Sequence, residues 1–92
     1  MYIQLNKQTI MEIYIVREEI IINSTFNEGV LLRTTDRRRA EKIANISFSD
    51  MSKVYPFIGA IEKTENNKRI LYNAVSGDSY IVEIEEYNSD IE

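Results

Sequence analysis

The chain has 92 residues, is 43% hydrophobic and 28% charged, and carries a formal net charge of -4 at neutral pH. It contains neither cysteine nor histidine. These absences exclude disulfide frameworks, thiolate zinc sites and cysteine nucleophiles, and they remove the commonest general base at neutral pH. This length predicts a single domain, residues 1–92, with little room for a deep catalytic cleft.

β-branched residues are dense in the first 34 residues and predict strands. We expect strands at Tyr2–Leu5, Ile10–Val16, Ile20–Phe26 and Val30–Thr34. Asn27-Glu28-Gly29 would form the turn between the third and fourth strands, because Gly29 can adopt positive φ. The joint at residues 17–19 is a poor turn, since it lacks Gly, Pro and Asn.

Residues 10–24 also admit a helix. Thr9 and Glu12 would form a capping box at its start, and a mixed stripe of apolar and polar residues would follow at helical spacing. The density of Ile and Val in this segment favours strands over this alternative.

One helix is clearly indicated after the fourth strand, with Thr35 or Asp36 as its N-cap. Its narrow face of small and apolar residues is suited to close packing on a sheet and consists of Ala40, Ile43, Ala44 and Ser47. Ser49 and Asp50 predict the start of a second short turn that ends at Pro56. The apolar side of that turn would be formed by Met51, Val54 and Tyr55.

The last third predicts a three-stranded meander. Asn66-Asn67 suits its first two-residue loop, and Gly77-Asp78 suits a type II′ turn that would pair Val75 with Tyr80. The core face would then hold Leu71, Asn73, Val75, Tyr80, Val82 and Ile84. The fold class predicted is α+β, an antiparallel sheet of about five to seven strands with one main α-helix packed on a face.

Positive charge is concentrated at the start of the predicted helix. Residues 33–42 carry a net +3, so the rest of the chain holds -7. Arg37, Arg38 and Arg39 occupy the first helical turn, where cations oppose the helix dipole, and Lys42 follows. Three interpretations stay open: a solvated surface paired with different carboxylates, a site for a partner's carboxylates, or a site for nucleic-acid phosphates.

The C-terminal strand combines acidic and aromatic residues and predicts a second interaction surface. An interface patch would be formed by Ile81 with Tyr72, Tyr80 and Tyr87, since tyrosine is enriched at interface hot spots. Glu83 and Glu85 share one sheet face and would contact a basic protein surface. The residues expected to bind a partner are Tyr72, Ile81, Glu83, Glu85 and Tyr87. A solubilising edge strand with ordinary strand propensity is the alternative. We expect residues 88–92 to form a frayed acidic tail.

These observations predict a small non-enzymatic protein-binding module that occludes a macromolecular partner. No catalytic, cofactor or metal site is expected, and no membrane segment. By analogy of composition alone, we expect an inhibitor or accessory protein of a virus or mobile element, cytoplasmic, and in the host cytoplasm if virus-encoded. The alternative is a nucleic-acid-binding accessory domain that uses the Arg37–Arg39 helix start. A homodimer is a further option, in which the helix start of one subunit meets the acidic strand of another.

Overall fold

The computed structural model of the chain describes the backbone of residues 9–91 and the side chains of residues 11–88. It shows a five-stranded antiparallel sheet with one helix packed on a face, which confirms the predicted fold class at the lower end of the strand number. In chain order the elements are β1 (Thr9–Ile22), β2 (Thr25–Thr34), α1 (Arg37–Met51), β3 (Ile61–Glu65), β4 (Lys68–Tyr72) and β5 (Ser79–Ile91). Across the sheet the strand order is β2-β1-β5-β4-β3. The strand predicted at Tyr2–Leu5 lies outside the described residues.

The N-terminal hairpin differs from its prediction in the position of the turn. β1 is one uninterrupted strand of 14 residues, so the helix alternative for residues 10–24 is wrong, as is a break at residues 17–19. The chain turns at Asn23 and Ser24, whose φ values are 52° and 65°. The turn predicted at residues 27–29 is also wrong, because these residues lie inside β2 and pair with residues 18–20 of β1. A serine at positive φ is uncommon, and the glycine nearby carried the stronger local signal.

A β-bulge interrupts the pairing of β1 with β2. Val16 lies opposite Leu32 and Arg17 lies opposite Val30, so Leu31 is the extra residue. A bulge of this kind changes which residues share a face of the strand. As a result Val30 and Arg33, an odd number of positions apart, both lie on the face of the sheet away from α1.

The predicted N-cap of α1 is confirmed as Asp36, which accepts hydrogen bonds from the N–H groups of Arg38 and Arg39 at 3.0 and 3.3 Å. The helix continues through residues 49–51, so the separate turn predicted to begin there is wrong. Val54 and Tyr55 of that turn are exposed. Phe57, further along the chain, is buried.

The predicted meander is confirmed in its strands and its first turn, but its second turn is different. Asn66 adopts φ 42° in the two-residue turn between β3 and β4. Leu71 lies opposite Tyr80, so the chain between β4 and β5 forms a six-residue loop at residues 73–78. Val75, predicted for the core, is 99% exposed there. The side-chain oxygen of Asn73 accepts hydrogen bonds from the backbone N–H groups of Val75 and Ser76, which favours this wider turn.

The core lies between α1 and one face of the sheet. The observed pairing of β4 with β5 differs from the predicted pairing by an even number of residues. The side chains of these two strands therefore lie on the faces predicted for them. Ala40 and Ala44 are buried against the sheet, because their small side chains let the helix approach closely. The buried hydrophobic set is Tyr14, Val16, Ala40, Ala44, Phe48, Phe57, Leu71, Tyr80 and Val82.

Candidate interaction surfaces

The residues predicted to bind a partner lie on two sides of the molecule. We call the sheet face away from α1 the open face. Among the residues whose side chains the structure describes, it carries the odd-numbered residues of β1, β3 and β5, the even-numbered residues of β4, and Phe26, Glu28, Val30 and Arg33 of β2. The open face therefore brings together Tyr72, Ile81, Glu83, Glu85 and Tyr87. The predicted basic residues Arg37, Arg38, Arg39 and Lys42 lie on α1, at the opposite side of the sheet.

About half of the side chains on the open face are apolar, and no element of the described residues covers this face. Phe26, Val30 and Ile61 are each more than half exposed, and Tyr72 and Tyr87 are nearly half exposed. Sequence reasoning missed Phe26 and Val30 because it placed a turn between them. Phe26 and Val30 have the strand propensity of aromatic and β-branched residues, but no strict alternation of apolar and polar residues marks the segment between them.

Two charged residues of the open face, Arg17 and Glu85, form an ion pair with each other. Arg17 Nε lies 2.7 Å from Glu85 Oε1, which also accepts a hydrogen bond from the Tyr87 hydroxyl at 2.8 Å. The Arg17 guanidinium, aided by the Tyr87 hydroxyl, holds the pKa of the Glu85 carboxyl below its usual range. The hydrogen bond to the Glu85 carboxylate raises the pKa of the Tyr87 phenol. The predicted acidic patch is therefore partly neutralised by the fold.

A row of alternating charge also crosses the open face. Arg17 lies opposite Glu83, Glu83 lies opposite Lys68, and Lys68 lies opposite Glu65 on the edge strand. Opposite charges on neighbouring strands attract each other modestly. This row separates a smaller apolar patch at Ile13, Ile15 and Tyr87 from a larger one at Ile21, Phe26, Ile61, Ile70, Tyr72 and Ile81.

Arg37 at the helix start is held by carboxylates of its own chain. Its guanidinium lies 3.3 Å from Glu41 and 3.4 Å from Glu86, and 6.0 Å from the centre of the Tyr14 ring. Glu41 and then Glu86 raise the pKa of Arg37 above its usual value. A contact between the helix start and the acidic strand thus forms within one chain, and these carboxylates offset the repulsion between the cation and the helix dipole.

Arg38, Arg39 and Lys42 differ from Arg37. All three residues are exposed, and no ion pair within 4.0 Å joins their charged groups to the described residues. With Asp36 and Ile43 they line a shallow surface depression. The arginine run is therefore divided by the fold into one internally paired residue and an outward-facing cationic group.

Two loops enclose a further apolar groove at the end of the molecule where α1 finishes. The Asn73 side chain donates a hydrogen bond to the Pro56 carbonyl at 2.9 Å and so joins the loops. Ile58, Ile61 and Val75 line the groove, whose volume is about 320 Å³. Sequence reasoning did not identify this groove, because its walls come from two loops and the adjoining ends of β3 and β4, which meet only in the folded chain.

The described residues contain no group of three or more His, Cys, Asp or Glu that could hold a metal ion. Within the same residues, no helix has the length and apolarity needed to cross a membrane. Comparison with protein-family models, with curated proteins and with solved structures finds no significant match to this chain.

Proposed function

We propose that this chain is a small non-enzymatic protein-binding module that occludes a surface of a protein partner through its open face. The observation that supports this function is the set of exposed apolar side chains on that face, with Phe26, Val30 and Ile61 more than half exposed. Monomeric proteins in water rarely expose a contiguous apolar patch of this kind unless it serves an interaction.

The larger apolar patch would form the centre of the interface. Tyr72 contributes an amphipathic ring of the type enriched at hot spots, and Ile70 and Ile81 lie directly opposite one another on neighbouring strands beside it. Burial of these side chains is worth roughly 25 cal/mol per Å² of apolar surface removed from water. The patch therefore supplies affinity by the hydrophobic effect.

The charged row would set the orientation of the partner. Arg17, Glu83 and Lys68 alternate in sign across three strands, so a partner must present the opposite alternation or leave charges unpaired. Charge complementarity of this kind favours correct partners and rejects wrong ones more than it adds affinity. We therefore expect a partner with an apolar centre and a mixed-charge rim.

Affinity purification of the tagged chain from its source cell tests this proposal. We expect one stoichiometric partner, and we expect Phe26→Ser and Tyr72→Ala each to weaken the purified complex at least about tenfold if these residues are hot spots. Tyr55→Ala is the matched control, because Tyr55 is 86% exposed but lies outside the open face. Circular dichroism verifies that all three variants fold.

Loss of the complex in the control alone would overturn the proposal and assign the interface to the loops. Native mass spectrometry of the isolated chain identifies the case in which the partner is a second copy. A dimer that dissociates in Phe26→Ser and Tyr72→Ala would make the open face a self-association surface, whereas a dimer indifferent to both would contradict the assignment.

A further inference from the structure

The outer edge of β2 carries no strand in the described part of the chain, and cations flank it on both sides of the sheet. We propose that this edge accepts an extended acidic segment of a partner protein by strand addition. Its backbone would pair with β2, and its carboxylates would contact Arg33 on the open face and Arg39 and Lys42 on the helix side. This second binding site does not depend on the function proposed for the open face.

β2 is better suited to strand addition than the other edge of the sheet. It is ten residues long, and only Glu28 and Arg33 among them are charged. β3 is five residues long and carries Glu62, Lys63 and Glu65. Short, charged edges resist pairing with further strands, whereas a long edge with few charges offers its free N–H and C=O groups to a partner.

Helix geometry places Arg39 on the β2 side of α1. Arg37 reaches Glu86 of β5, and Asn45 accepts a hydrogen bond from Arg69 of β4 at 3.0 Å, so this flank of the helix faces β4 and β5. Successive helical residues are rotated by about 100°, which turns Arg39 by about 200° from Arg37 to the opposite flank. Lys42 follows Arg39 by three residues on the adjacent surface.

Arg33 lies on the other side of the same edge. It belongs to the open face, opposite Ile15 of β1, and its guanidinium forms no ion pair within 4.0 Å among the described residues. The cations Arg17, Arg37 and Lys63 are each paired with a carboxylate there. Arg33, Arg39 and Lys42 therefore carry positive charge that no ion pair within 4.0 Å compensates among the described residues.

The alternation of side chains along a strand defines the ligand. Neighbouring residues of an added strand point to opposite faces of the sheet. Two adjacent acidic residues would thus reach Arg33 on one face and Arg39 or Lys42 on the other. Arginine binds carboxylates through its planar fork of N–H donors, so each contact is a charge-assisted hydrogen bond. The structure assigns this edge to a segment with consecutive Asp or Glu residues between β-forming residues.

Fluorescence anisotropy with a labelled peptide Val-Thr-Glu-Glu-Val-Thr-Val tests the proposal on the full chain. We expect saturable binding that weakens with added salt, and about tenfold loss of affinity in Arg39→Glu and in Arg33→Glu at low salt, as for close charge pairs at interfaces. Lys42→Glu should also weaken binding, whereas Lys53→Glu, a matched exposed lysine beyond the end of α1, should not. Absence of binding at low salt, or equal loss in the two lysine variants, would overturn the proposal.

Amide chemical shifts measured by NMR distinguish strand addition from simple charge attraction. Shifts along Thr25–Thr34 on addition of the peptide support the proposal, and shifts confined to α1 overturn it. Tyr72→Ala should leave peptide affinity unchanged, which separates this site from the open face. A twenty-nucleotide oligothymidylate serves as the nucleic-acid probe. If it binds more tightly than the peptide, Arg33, Arg39 and Lys42 form a nucleic-acid site and the proposal is overturned.

Discussion

The buried carboxylate of Asp78 accepts a hydrogen bond from the backbone N–H of Asn23 at 3.0 Å. Asn23 lies in the turn between β1 and β2, and Asp78 lies in the loop between β4 and β5. This contact joins two parts of the chain that are 55 residues apart. It holds the turn in its left-handed conformation, and it satisfies a backbone donor that would otherwise lose its partner.

Replacement of Asp78 tests the importance of this contact. We expect Asp78→Ala to lower the free energy of unfolding by about 1–3 kcal/mol, because the Asn23 N–H loses its acceptor in a partly buried site. Asp78→Asn keeps a side-chain oxygen and should lose less. Urea unfolding followed by circular dichroism measures both variants. Equal losses in the two variants would show that the acceptor oxygen is unimportant.

The turn at Ser24 should tolerate glycine better than serine. Ser24 has φ 65°, a conformation that costs a residue with Cβ roughly 1–2 kcal/mol, and the greater backbone freedom of unfolded glycine offsets part of the gain. We expect Ser24→Gly to raise the free energy of unfolding by about 0.5 kcal/mol. Ser49→Gly within α1 is the control and should lower it by a similar amount, since glycine is a poor helix former. A destabilised Ser24→Gly variant would be evidence against this turn conformation.

The contact between Arg17 and Glu85 should make stability depend on pH. The pKa of Glu85 is lowered in the folded chain, so the contact stabilises the fold above the pKa of an unfolded glutamate, about 4.3. That stabilisation is lost as the pH falls through the lower pKa of the folded state. Glu85→Gln should therefore be less stable than the parent at pH 7, with a difference that narrows below pH 4.

Urea unfolding at pH 7 and pH 3 measures the effect of Glu85→Gln. The control is Glu62→Gln, which removes an exposed carboxylate of β3 that forms no ion pair within 4.0 Å among the described residues. A difference between Glu85→Gln and the parent that is as large at pH 3 as at pH 7 would contradict the assigned cause.

Arg37 and Arg38 should respond differently to the same substitution. Arg37→Gln removes the contacts with Glu41 and Glu86, and we expect the thermal midpoint to fall by about 1–4 °C. Arg38→Gln should leave the midpoint unchanged or raise it slightly, because a cation at a helix start opposes the dipole. Differential scanning calorimetry at low and high salt measures both. Since salt screens exposed charges, the two midpoints should converge at high salt.

Local patterns in the sequence were sufficient for several parts of the fold. Asp36 was one of two predicted N-cap candidates, with Thr35, because short polar side chains accept hydrogen bonds from the free N–H groups of a first helical turn. Asn66-Asn67 was identified as a turn because asparagine tolerates positive φ. The buried and open faces of β4 and β5 were predicted from the alternation of side chains along each strand. These faces were predicted correctly because the observed and predicted registers differ by an even number of residues. Each of these features depends on residues close together in the chain.

Only the tertiary structure decided the features that depend on distant residues. The turn at Asn23 and Ser24 is held by Asp78, and the width of the β4–β5 loop reflects the contacts of Asn73 with its own loop and with Pro56. Likewise Arg37 finds Glu86 on a strand that a local pattern cannot place beside it. Sequence patterns determine which residues favour a helix, a strand or a core, because those preferences are local. They do not determine which strands become neighbours or which charges pair, because those contacts form only when the chain packs.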